Sequence, residues 1–300
     1  MKKIASIVLL LMAAVSILSA CGSSQSGGTM KKFVIAYLPG EANDESAKLN
    51  KDFEDKLSAA IGLPVESYKA TSYNAAIEAM KNGKADMATF GPFSYIVAVD
   101  RAKVEPIVGI SMPSLANSPA SVIIVPKDSD IKTVADLKGK TMGFVDPVST
   151  TGHLFPKSLI VDELGIDPEE LESGFFKSIQ FAGKHDTAVL GVVKGQYDAA
   201  GVSGMYPEML VQKGLIPKDS YRVIAQSGPL NATPVGIRST VPDEVKQKVK
   251  AFLLGYNNPE YFQNLFGMAD AKFVEVKDSD FDNIRDVAKQ LKLSSEDLLK

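Results

Sequence analysis

Residues Thr141 to His153 read Thr-Met-Gly-Phe-Val-Asp-Pro-Val-Ser-Thr-Thr-Gly-His. An apolar strand runs through Asp146 and Pro147 into three consecutive hydroxyl residues and a glycine, and an amphipathic helix is expected over 154–164. Ser149, Thr150 and Thr151 therefore bring hydroxyls to a helix start. There the backbone N–H groups lack intrahelical acceptors and the helix carries about half a positive charge. Donors converging in this way suit a compact oxyanion. Asp146, Ser149 and His153 are also the residue types of a hydrolase triad. They crowd into one short loop, though, with no Gly-x-Ser-x-Gly elbow, whereas triad members come from separate elements. The pattern points to holding an anion, with no enzyme activity expected. His153, His185 and the single Cys21 have no zinc-ligand spacing, so neither metal nor cofactor is expected.

Strands and helices must alternate to position that loop. Strands are expected at 33–37, 64–69, 85–90 and 107–110, then at 121–125, 141–145, 178–181, 197–202, 221–225 and 234–238. Helices are expected between them, at 45–60, 73–82, 93–101, 134–137, 154–164 and 187–194, with a mostly helical tail from Asp243. The pattern predicts an α/β fold of two lobes with mainly parallel sheets and a ligand cleft between them. Lobe 1 is read as 32–115 plus 229–300 and lobe 2 as 116–228, with crossings near the prolines Pro113, Pro119 and Pro229. Four strand-to-helix junctions could face the cleft: 70–74, 90–94, 149–153 and 183–187. Ser72, Ser94, Ser149 or Thr150, and Asp186 are their candidate caps.

Residues 1–20 read as an export signal, with Lys2 and Lys3 ahead of an apolar run. Leu18-Ser-Ala-Cys21 resembles a bacterial lipobox, which implies lipidation at Cys21 and a flexible Ser/Gly tether through residue 31. Removing residues 1–20 takes away two lysines and no acid, moving the net charge from −3 to −5. An acidic chain argues against nucleic acid, and membrane attachment is expected through the lipid alone. Any anion must be captured by dipoles and hydrogen bonds. Charge-assisted bonds contribute roughly 1.5–3 kcal/mol each, and a micromolar site needs about 8 kcal/mol, so four to six donors suffice.

The stretches Asp146-Pro-Val-Ser-Thr-Thr-Gly-His-Leu-Phe-Pro156 and Gly183-Lys-His-Asp-Thr187 through Asp198 resemble the phosphonate/phosphite-binding proteins of bacterial ABC importers. That family has the type II periplasmic-binding-protein fold. The resemblance extends over most of residues 31–255, with supporting matches at Ala98-Val-Asp-Arg101 and Asp136-Leu-Lys-Gly-Lys140. It implies that Ser149, Thr150 and the backbone near Thr151 grip the oxyanion. By the same likeness His185 donates from the opposite wall and Tyr73 from the first lobe, with His153 at the cleft rim. Members that take aminoalkyl phosphonates place acids near Met205 and just before Pro234, where this chain has Thr233, and often a tyrosine at Phe90. Without those acids a buried ammonium lacks a partner. A smaller ligand such as phosphite or methylphosphonate is then expected, its P–H or P–CH₃ group packed by Phe90, Phe93 and Tyr95.

The resulting expectation is a monomeric, lipid-anchored solute-binding protein on the outer face of the bacterial cell membrane. It delivers a small phosphorus oxyanion to an ABC permease and its ATPase. Alternatives are a same-fold binder of phosphate, a sulfonate or a vitamin precursor, and a lipoprotein sensor subunit.

Overall fold

The computed structural model of the chain describes residues 30–40 and 44–295. The expected export signal, Cys21 and most of the tether lie outside the described residues. No helix among the described residues is long and apolar enough to cross a membrane.

The chain begins β1 (Phe33–Tyr37), α1 (Asp44–Ile61), β2 (Val65–Lys69), α2 (Tyr73–Lys81), β3 (Met87–Thr89), α3 (Pro92–Ala102) and β4 (Val104–Ser111). It then crosses to β5 (Ser121–Pro126), β6 (Thr141–Phe144), α4 (Phe155–Leu164), β7 (Ser178–Phe181), α5 (His185–Val193), β8 (Ala199–Ser203), α6 (Met205–Gln212) and β9 (Tyr221–Gln226). It returns through β10 (Thr233–Arg238), α7 (Asp243–Gly255), α8 (Pro259–Phe266), β11 (Lys272–Val274) and α9 (Asp282–Gln290). Apolar, β-branched runs make the buried strands: every residue of β1, Phe-Val-Ile-Ala-Tyr, is buried. Proline and hydroxyl residues start the helices. Ser72 caps α2 by accepting from the Ala75 N–H at 3.0 Å, and Pro92 opens α3, where its missing N–H costs nothing.

Two sheets result, ordered β11-β4-β10-β3-β1-β2 and β7-β6-β8-β5-β9. Both sheets are mixed, where mainly parallel ones were expected. Two of five pairings in the first and two of four in the second are parallel, because in each the strand that has just arrived from the other lobe, β10 or β5, runs antiparallel to both neighbours. β11 adds a further antiparallel strand at the first sheet's edge. β1 lies between β2 and β3, and β6 between β7 and β8, so connections diverge to either side of both central strands. Such switch points leave a crevice at the carboxyl ends of the strands. The two crossings run side by side: the Ala120 N–H donates to Gly228 O at 3.1 Å and the Ser227 N–H to Ser121 O at 2.9 Å. This pair of crossing segments joins the two lobes.

The structure adds two elements to those read from the sequence, α6 and β11. β11 is three residues long with only Phe273 buried, too short to show alternation. In α6, Pro207 falls in the first turn, so a residue that reads as a breaker is tolerated there. The expected helix at 134–137 is a single 3₁₀ turn.

Candidate ligand-binding site

The carboxyl ends of the strands open on one cavity of about 160 Å³. Leu38 and Pro39 reach it after β1, Thr89 and Phe90 from the end of β3, and Ser203 from the end of β8. Helix starts supply the polar wall. Tyr73 begins α2, His185 begins α5, and Ser149, Thr150 and Thr151 precede α4. The structure thus brings together Tyr73, Phe90, Ser149, Thr150, Thr151 and His185.

Residues 150–154 wind as a π-helical turn into α4, with the Leu154 N–H donating to Ser149 O at 3.0 Å. Such turns are rare and concentrate at functional sites. Ser149 Oγ caps the turn by accepting from the Gly152 N–H at 3.1 Å. Gly152 is required there, because a β-carbon would fall 2.3 Å from Val145 Cγ2. The Thr150 and Thr151 N–H groups open the turn and so have no acceptor within it. Ser121 Oγ, at the start of β5, donates to Thr151 O at 2.7 Å and ties the loop to the crossing.

The same loop closes the lobes on each other. Thr150 Oγ1 accepts from the Phe93 N–H of α3 at 2.8 Å, the first N–H available after Pro92. Asp146, buried in the second lobe, accepts from the Val148 N–H at 3.1 Å and from the Tyr73 N–H at the start of α2 at 3.4 Å. Two side chains of one lobe therefore cap two helices of the other. Burial pushes the Asp146 carboxyl up, and its two backbone bonds work against that rise.

The two histidines have opposite tautomers. The Ser203 N–H donates to His185 Nδ1 at 3.1 Å, so a neutral ring carries its proton on Nε2 and keeps that N–H as a donor. Tyr206 stacks on the ring at 4.6 Å. His153 Nδ1 lies 2.7 Å from Pro147 O, an acceptor only, so its proton is on Nδ1. That bond also removes the triad reading, because Nδ1 does not face Asp146. Three of the expected contact residues, His153, Tyr95 and Phe93, stand apart from the cavity. His153 is enclosed between Phe144 and Phe181, with ring centroids at 4.8 and 5.3 Å. Tyr95 is fully buried, packs on Phe281 and donates its hydroxyl to Asp278 at 2.7 Å. It pins the C-terminal segment to α3. Phe93 likewise contributes its N–H and not its ring. Ser94 and Asp186 do not cap their helices: Gly91 and Lys184 hold those positions without side-chain bonds.

Burial lowers both imidazoles to about 3, with the Lys157 charge adding to the effect at His153. In the unfolded chain each titrates near 6.5, so below that pH the unfolded state takes up protons that the native state refuses. Stability is therefore lost as pH falls from 6.5 towards 3, by up to about 2 kcal/mol per histidine at pH 5. His185, less enclosed than His153, contributes the smaller share. Asp146, raised by burial, acts in the opposite sense and does not produce this loss. Urea denaturation at pH 7.5 and 5.0 should show the difference, and replacing both histidines with glutamine should remove most of it. Equal stability at the two pH values in the parent protein would contradict the neutral assignment.

A family model described as "ABC transporter, phosphonate, periplasmic substrate-binding protein" matches residues 35–281. The chain belongs to this phosphonate-binding family. A curated relative, the phosphate-import protein PhnD of Mycolicibacterium smegmatis, is 28% identical over 88% of this chain and 87% of its own length. The phosphonates-binding periplasmic protein of Escherichia coli is 31% identical over 69% of this chain and 59% of its own length. The solved binding component of a Pseudomonas aeruginosa ABC phosphonate transporter superposes with a TM-score of 0.74 at 26% identity, covering 87% of each chain. As a member of the phosphonate-binding family, the chain is an extracytoplasmic binder with the type II fold. It is not an enzyme, and it serves a permease and an ATPase.

Within the phosphonate-binding family frame, the cavity's electrostatics are distinctive. Among its described lining residues there is no Lys, Arg, Asp or Glu. Met205 and Thr233 line it at the two positions where the resemblance implied acids in aminoalkyl-phosphonate binders. The donors are neutral, so they offer oriented dipoles in place of a charge, and such dipoles cost no reorganisation when an anion arrives. Ser203 and Tyr206, at the junction into α6, also line the cavity. Neither was anticipated, and the Ser-Gly step between β8 and α6 was the available signal.

Proposed function

We propose that the protein captures a small phosphorus oxyanion, phosphite or a phosphonate without a cationic group, for import. Ser149, Thr150 and Thr151 hold its oxygens from one side, with His185 Nε2 and Tyr73 from the others. The observation that carries this reading is a cavity with clustered neutral donors and no ionised side chain among its described lining. We further propose that the monomer is anchored by lipid on Cys21 after cleavage of residues 1–20. Cys21→Ala should then shift the protein from the membrane fraction to the soluble fraction, and unchanged membrane retention would refute the anchor.

Phosphate is the second reading, favoured by the phosphate-import name of the M. smegmatis relative. Its fourth oxygen is expected to turn towards the apolar part of the wall, where Leu38, Phe90 and Met205 supply no hydrogen bond. An unpaired oxygen there costs several kcal/mol. Titration calorimetry of the purified protein with phosphite, methylphosphonate, 2-aminoethylphosphonate, phosphate and sulfate decides between them. Phosphite or methylphosphonate should bind at least about thirtyfold tighter than phosphate. Phosphate binding as tight as methylphosphonate would replace this reading with the second. Tight 2-aminoethylphosphonate would mean that an acid outside the described residues pairs its ammonium.

A further inference from the structure

Part of the cavity wall comes from outside the helix starts that present donors. Met112 and Leu115 lie on the outgoing crossing, and Leu265 and Phe266 end α8. Met205 of α6 joins them from the other lobe. The two lobes meet here: a β-carbon on Gly267, the residue that terminates α8, would lie 3.7 Å from both Met205 Cε and Met209 Sδ. The apolar wall is thus continuous across the cleft. Behind it, a second cavity of about 30 Å³ shares Thr89, Leu265 and Phe266 with the first. Its other walls are aliphatic and aromatic side chains such as Ile35, Met87 and Phe273. Tyr37, Thr89 and Tyr261 bring hydroxyls to a lining that is otherwise apolar. This second cavity is room into which Leu265 and Phe266 can shift, and Met205 is itself a flexible, polarisable neighbour.

Three oxygens of a tetrahedral phosphonate turned to the hydroxyls, the N–H groups and His185 leave one substituent pointing away from them. The wall it meets includes the hydrocarbon and thioether groups of Met205, Leu265 and Phe266, with the neutral hydroxyls of Thr89 and Thr233 also in the lining. We propose that this wall is a subsite for an uncharged hydrocarbon substituent longer than methyl, seated between Met205 and the Leu265–Phe266 end of α8. The proposal rests on the phosphonate reading above and narrows it to alkylphosphonates. A terminal ammonium would be stripped of water there with no anionic partner among the described lining residues.

The test is calorimetry of the full protein with phosphite and with methyl-, ethyl- and propylphosphonate. 2-Aminoethylphosphonate completes the series, because it matches propylphosphonate in shape but ends in an ammonium. Affinity should rise about fourfold per added carbon from methyl to propyl, the value of burying one methylene. Propylphosphonate should bind at least about thirtyfold tighter than 2-aminoethylphosphonate. Leu265→Ala should flatten the rise from methyl to propyl, and a thermal melt checks that it remains folded. Affinity that is level or falls from methyl to propyl overturns the subsite and leaves the phosphonate reading standing. Loss of every phosphonate in the series overturns that reading and the subsite together.

Discussion

Gly91→Val is expected to weaken ligand binding about a hundredfold while leaving the thermal stability of the ligand-free protein near that of the parent. Gly91 has φ −64° and ψ 154°, a conformation open to any residue, so helix α3 does not need a glycine for its backbone. The requirement comes from the opposite lobe. A β-carbon at Gly91 would stand 2.6 Å from Thr150 Oγ1 and 3.4 Å from Thr150 Cβ. The clash exists only when the lobes are closed, and it displaces the hydroxyl that accepts from the Phe93 N–H. Affinity falls by the fraction of molecules able to close, so about 3 kcal/mol of added closure cost gives the stated loss. Small-angle scattering should show that ligand compacts the parent and not the variant. Binding at parental strength would mean that closure does not pass through this contact.

The second large effect is expected from Ser149→Ala combined with Thr150→Ala. Each hydroxyl is assigned a charge-assisted bond to the oxyanion, roughly 1.5–3 kcal/mol apiece, so the pair should weaken binding about 10²–10⁴-fold. Two structural losses accompany this. Ser149 no longer caps the Gly152 N–H, at about 1 kcal/mol of stability, and the Phe93 N–H loses its partner across the cleft. Denaturation curves separate that modest destabilisation from the loss of binding. A double variant that still bound methylphosphonate within about threefold of the parent would remove this loop from the site.

The contrast between those two predictions shows what the sequence makes legible. Ser149 to Thr151 stand out locally, because three hydroxyls at a strand end before a helix form a short-range pattern. The bounds of β1 were readable for the same reason, as an apolar run with β-branched residues at its centre. Contacts between lobes have no such signature. Nothing around Gly91 announces Thr150, and Asp146 sits next to Pro147 with no sign that it caps α2. Tyr95 and His153 show the reverse error. Both have residue types suited to ligand contact and both neighbour true cavity residues, yet a helix turns successive side chains about 100° apart. Tyr95 is carried away from the cavity to Asp278, and His153 is carried into the aromatic cluster of Phe144 and Phe181. Leu265 and Phe266 read as ordinary core residues of an amphipathic helix, and only the docking of α8 beside α6 brings them to the cavity.

The central claim is that neutral donors from 149–151 and His185 hold a phosphorus oxyanion without an ionised side chain. A crystal structure with bound methylphosphonate tests it most directly. The phosphonate oxygens should lie within hydrogen-bond distance of Ser149 Oγ, Thr150 Oγ1, the Thr150 and Thr151 N–H groups and His185 Nε2, with the methyl group turned towards Met205 and Leu265. A phosphonate seated elsewhere, or one paired with a lysine or arginine, would contradict the account.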